Sequence, residues 1–256
     1  MHRATVVSVH QLDAMCDPLR TRFTTEPDRQ QQAQRLTERF PLVHRTSGGP
    51  SLTTILGQGQ LRAAPPCTPR ETDCGIPKAL YFFLGCPAYP EGVIALLMFN
   101  RVLEAANASY TPFDTGSLDK YARPRDPSSP WEDDDRREFL ATYIGHGADA
   151  VGFAAEYVAA HFIDACEYVR RPQLSLPDTP VYHGLESTSG DRRAWSIEVQ
   201  LHDDVVLDEQ HVEYLVLGPQ DLFVDVPDDL TSKVVVAEDE GALASTISKL
   251  ILGEAL

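Results

Sequence analysis

Apolar positions recur along this chain in two rhythms, and the period of two is the cleaner. In residues 194–201, Trp195, Ile197, Val199 and Leu201 alternate with Ser196, Glu198 and Gln200. That is the pattern of a strand with one buried face. Continuous apolar runs predict further strands over 40–46, 78–84, 92–99, 212–217 and 233–237, each bounded by Gly, Pro or polar residues. A short β-like run over 4–9 opens the chain.

The helical rhythm is found elsewhere. Residues 27–39 are good helix formers behind a Pro-Asp start. Ser51 reads as the N-cap of a short helix over 52–56 that ends near Gly57 and Gly59. Acids open a predicted helix over 131–144, where they suit the helix dipole. Residues 148–170 read as the longest helix, with Val151, Phe153, Ala154, Tyr157, Val158 and Phe162 near helical spacing. An amphipathic helix over 240–252 finishes the chain. Residues 62–77, with four prolines, and 110–130 read as long loops. Runs of strand and helix mixed in this way predict an α+β protein.

Composition narrows the class. The chain has 256 residues, of which 43% are hydrophobic and 23% charged, ordinary values for a globular protein. A net charge of −16 argues against broad nucleic-acid binding, because phosphate backbones are repelled at long range. No apolar run reaches the length of a spanning helix, and the first residues have too short an apolar run for a signal peptide. The expectation is a cytoplasmic protein that does not enter membranes. Its five cysteines are odd in number and irregular in spacing, as free thiols would be. Cys67, Cys74 and Cys86 fit no standard zinc spacing, and no metal is expected.

Three places could carry chemistry. His44, with Arg45 and Thr46, sits at a strand end before a turn, where an imidazole is either presented to a ligand or simply structural. Tyr81 and Tyr89 flank the exit Gly85-Cys86-Pro87 of an aromatic strand. Each is either a stacking surface for a flat heterocycle or core. Glu213 is an isolated acid in the apolar run Val212–Leu217. It is either a buried acid at a site or a solvated alternating position, as Glu198 is read to be.

Taken together, these segments resemble the ADP-ribosyltransferase-like fold of the His–Tyr–Glu type. Leu42-Val43-His44-Arg45-Thr46, followed by Leu52, Ile55-Leu56-Gly57 and Gly59, resembles its first strand and helix. The strand bearing Tyr81 resembles the second signature element, and Glu213 before Gly218-Pro219 falls where the family's acid is expected. The resemblance implies a split β-sheet core with flanking helices. The whole of 1–256 would be one domain, with an N-terminal helical extension over about 1–39 and a helical insertion over about 131–170.

The resemblance also implies that NAD is the substrate. Glu213 would be catalytic, while His44, Thr46, Tyr81 and Tyr89 would bind the dinucleotide. ADP-ribose would pass to a protein or nucleic-acid acceptor, or to water, in a toxin, an effector or an antiviral defence protein. The paired acids of arginine-directed members are not visible, so the acceptor is left open. The rival expectation is a non-catalytic protein whose acidic surface binds a basic partner.

Overall fold

The computed structural model describes residues 31, 33–35, 37–46, 49–66, 68–73, 75–86, 94–117, 122–124, 132–162, 164–170, 185–187, 192–239 and 242–255. Its strands are β1 Leu42–Thr46, β2 Gln60–Leu61, β3 Leu80–Leu84, β4 Ile94–Met98, β5 Ala108–Thr111, β6 Ala122–Pro124, β7 Gly145–His146, β8 Leu185–Ser187, β9 Glu198–Leu201, β10 Val205–Val206, β11 Val212–Leu217 and β12 Val234–Val236. Its α-helices are α1 Gly49–Gln58, α2 Pro69–Asp73, α3 Val102–Ala105, α4 Asp133–Tyr143, α5 Ala150–His161, α6 Ala165–Arg170 and α7 Leu243–Leu252. The protein is α+β.

Eight strands form one hydrogen-bonded sheet in the order β12-β11-β4-β1-β3-β9-β5-β7. Every pairing in it is antiparallel except β11 with β12. The ladders differ in length. β1 pairs with β4 over all five of its residues, but with β3 only at Leu42↔Leu84 and Val43↔Phe83. The sheet is therefore held weakly between β1 and β3, beside His44.

Alternation decides what each strand contributes. Val43, Ala95, Leu97 and Val216 share one face and pack with Leu243 and Ile247 of α7. The alternate residues Leu42, Phe82, Leu84, Leu96, Met98 and Leu215 enter the larger core with Tyr157 of α5 and Tyr168 of α6. Tyr168 also donates its hydroxyl proton to the Leu84 carbonyl at 2.8 Å and stacks on Phe40 at 5.5 Å between centroids. Gly85 turns the chain after β3 with φ +72°, and a Cβ there would lie 2.4 Å from the Phe40 ring. Only glycine meets both demands.

The helix termini follow backbone logic. α7 ends at Gly253, φ +68°, where Gly253 N–H donates to the Leu250 carbonyl and Glu254 N–H to the Lys249 carbonyl, a Schellman closure. α4 opens with a capping box between Glu132 and Asp135.

Several expectations are corrected. The helix after β1 begins at Gly49, so Ser51 lies inside it rather than capping it. The helix expected over 148–170 is two helices, because Phe162 adopts extended backbone angles after α5. The loop expected over 62–77 contains α2 and an Ala64↔Ala79 bridge, and the one over 110–130 contains β6. The expected helical insertion holds α4, α5 and α6 together with β7, which pairs with β5 at the sheet edge. The strand expected over 4–9 lies outside the described residues. No described helix is long and apolar enough to cross a membrane.

Candidate functional site

His44 lies in β1, opposite Leu96 of β4 and beside the Phe82 ring, 5.3 Å between centroids. Its Nδ1 is 2.9 Å from the Tyr81 carbonyl oxygen. A carbonyl only accepts, so Nδ1 carries the proton and Nε2 of the neutral ring is left as an acceptor. Burial lowers the His44 pKa, partly offset by this hydrogen bond, so the neutral ring prevails at physiological pH.

Thr46 follows two residues later on the same strand face. It is buried, and its Oγ1 has no hydrogen-bond partner among the described residues. A buried hydroxyl without a partner is costly and asks for an explanation. An acceptor nitrogen and an uncommitted hydroxyl on one strand face suit a polar ligand rich in hydroxyls.

Glu213 is half-buried and sits at an irregularity in β11, where Val212 pairs with Met98 but Tyr214 pairs with the next residue back, Leu97. It is the extra residue of a β-bulge. Bulges re-aim side chains and are over-represented beside active sites. Burial raises the Glu213 pKa, and the Lys233 charge opposes the rise. β4 separates β11 from β1. At the usual strand spacing the two strands are roughly 10 Å apart. His44 and Leu215 both pair with Leu96, so Glu213 lies two residues along from the level of His44.

The two tyrosines fare differently. Tyr81 pairs with Gln200, and alternation places its ring with Phe83 on the sheet face opposite His44 and Phe82. Tyr81 thus gives its carbonyl to His44 and turns its ring to the other side of the sheet. Tyr89 lies outside the described residues.

Sequence reasoning missed a buried polar cluster on the Tyr81 face. Glu198 is read from the sequence as a solvated alternating position, yet it is 2% exposed, and Gln200 beside it is 3% exposed. Thr115 Oγ1–H donates to Glu198 Oε1 at 2.7 Å, and Gln200 Nε2–H donates to the same oxygen at 2.8 Å. Thr115 Oγ1 is also 3.4 Å from Glu71 Oε1, whose other oxygen accepts from the Thr68 N–H and hydroxyl at 2.9 Å each. Burial, with Asp114 and Glu71 nearby, pushes the Glu198 pKa well above the ordinary range. The cluster fastens α2 and the turn Thr115–Ser117 onto β9. Nothing in the alternation signals what covers that face.

A separate cavity of about 530 Å³ lies beside the α3 and β10–β11 turns, lined among others by Arg101, Glu104, Asp203, Asp204, Gln210 and His211. His211 Nδ1–H donates to Asp208 at 2.7 Å there. Among the described residues no group of three or more His, Cys, Asp or Glu could hold a metal ion. Neither Cys86 nor Cys166 is in a disulfide, and the Cys86 thiol donates to the Val169 carbonyl at 3.1 Å. No protein-family model matches the chain, and no curated protein sequence matches it.

Proposed function

We propose that this protein is an NAD-cleaving enzyme of the ADP-ribosyltransferase-like, split-sheet type, transferring ADP-ribose to an acceptor or to water in the cytoplasm. The observation that carries the reading is the pair His44 and Thr46. They put a neutral imidazole acceptor and a buried hydroxyl with no partner among the described residues on one strand face, where the β1–β3 ladder runs out. The ribose hydroxyls of NAD are donors that Nε2 accepts from, and ribose oxygens accept from the Thr46 hydroxyl. The two-pair β1–β3 ladder supports the split between half-sheets.

Glu213 supplies the charge. As the bond from ribose C1′ to the pyridinium nitrogen breaks, its electron pair leaves with neutral nicotinamide and positive charge builds on the ribose. A carboxylate held near that charge stabilises it. The nucleophile, water or an acceptor hydroxyl, amine or carboxylate, bonds to C1′, and any proton it sheds goes to solvent. The incoming pyridinium also favours the ionised form of a carboxyl that burial otherwise disfavours.

Purified protein incubated with NAD and followed for nicotinamide tests the reading, with calorimetric NAD binding beside it. The absence of both release and binding sinks it. One observation favours the second reading, a non-catalytic partner-binding protein. Leu222 and Phe223 are 60% and 68% exposed in a segment that also carries Asp225, Asp228 and Asp229. An apolar knob with acidic neighbours suits a basic protein surface.

A further inference from the structure

The bulge at Glu213 lies in β11 between β4 and β12, and one basic side chain stands out. β12 runs parallel to β11 with Val234 opposite Leu215, so Lys233 arrives level with Tyr214, beside the bulge. Lys233 Nζ lies 5.5 Å from the centroid of Phe99. The Phe99 N–H donates to the His211 carbonyl at 2.9 Å, which ties the Phe99 backbone to the residue that precedes β11. Arg101 approaches the same ring, its Cζ 4.4 Å from the centroid, and donates to the Gln210 carbonyl. Phe99 is thus a platform for two cations, one committed to the turn and one beside the acid.

We infer that Lys233, held over the face of Phe99, is a positioning residue that fixes Glu213 in its carboxylate form. The inference rests on the proposed role of Glu213 and adds a regulator of that same site. Charged groups near the bulge come from several elements. The Phe99–Arg101 turn brings Arg101, and the β10–β11 hairpin brings Asp208 and His211. The segment Asp228–Lys233 brings Asp228, Asp229 and Lys233, and α7 brings Lys249, while β4 brings no charge. Among them it is Lys233 whose charge acts on the Glu213 carboxyl, against the effect of burial. A lysine suits this work, because its charge is compact and its stem is apolar.

The test reads Glu213 directly and needs no NAD. Carboxyl carbon-13 resonances are titrated in the wild type, K233M and K233R, with the Glu213 signal assigned from its absence in E213Q. The Glu213 midpoint is expected to move up in K233M and to return towards the wild-type value in K233R. Added salt is expected to raise the midpoint in the wild type by more than in K233M, since screening weakens the attraction of the Lys233 charge for the carboxylate. An unchanged midpoint in K233M, with a native amide spectrum, overturns the inference. So does a salt-insensitive wild-type midpoint, which decides the matter even if K233M folds poorly. Nicotinamide release against pH is recorded alongside, and its acid limb is expected to follow the midpoint in K233M. If no variant or wild type releases nicotinamide, the NAD reading fails while the titration still decides the role of Lys233.

Discussion

The Nδ1 of His44 lies 2.9 Å from the Tyr81 carbonyl oxygen, at the point where the β1–β3 ladder ends after Val43↔Phe83. The side chain takes a carbonyl from the strand across the gap and so fixes its own tautomer. That single bond leaves Nε2 as an acceptor on the face that Thr46 shares.

Thr46→Val separates ligand binding from stability. Valine has nearly the same shape and removes a buried hydroxyl that has no partner among the described residues. The unliganded protein is expected to keep its stability or gain up to about 1 kcal/mol, because an unsatisfied polar group is removed. NAD affinity is expected to fall about 5- to 10-fold for one lost hydrogen bond. Thermal unfolding and calorimetric titration of the same sample read both effects.

Glu198→Gln tests the buried cluster through pH. The folded-state pKa of Glu198 is raised above the ordinary 4.5, chiefly by burial. Between those values the folded chain keeps a proton that the unfolded chain has lost, so this group's contribution to stability falls as pH rises from about 4.5. Glutamine carries no such proton and still accepts from Thr115. The variant is expected to gain stability relative to wild type as pH rises, measured by urea unfolding at pH 5 and pH 8. A difference that stays constant, or that shrinks with pH, contradicts the assignment.

Gly85→Ala is expected to destabilise by about 2 kcal/mol or more, since it adds left-handed strain to a clash with Phe40. Urea midpoints compare it with wild type, and the double variant with Phe40→Leu should recover part of the loss.

Ile247→Ala empties the smaller core where α7 meets Val43, Leu97 and Val216. The cost is expected to be about 2–5 kcal/mol. Urea unfolding measures it, and a loss below 1 kcal/mol, within the ordinary range of surface changes, contradicts the packing.

Much of the sheet was legible before folding. β1, β3, β4, β11 and β12 are apolar runs stopped by turn residues, and the C-terminal helix ends on a glycine. What escaped has physical causes. β5 and β7 are short and weakly apolar, and they are strands because β9 and β5 offer them edges. Alternation correctly paired Val199 with Leu201 on one face, but no periodicity states that α2 and Thr115 cover Glu198 on the other. The places of the candidate site residues on the fold were legible in part. His44, Thr46 and Glu213 stand on strands where the pattern placed them, whereas the Tyr81 ring turns away because β3 alternates.

The account's central claim is that Glu213 stabilises positive charge on a ribose released from nicotinamide. Nicotinamide release from NAD by the wild type and by Glu213→Gln, in parallel and with both folds verified, measures it most directly. The account predicts release by the wild type and a loss on the order of 100-fold or more in the variant, the range seen when a charge-stabilising group is removed. Equal release by both proteins would contradict it.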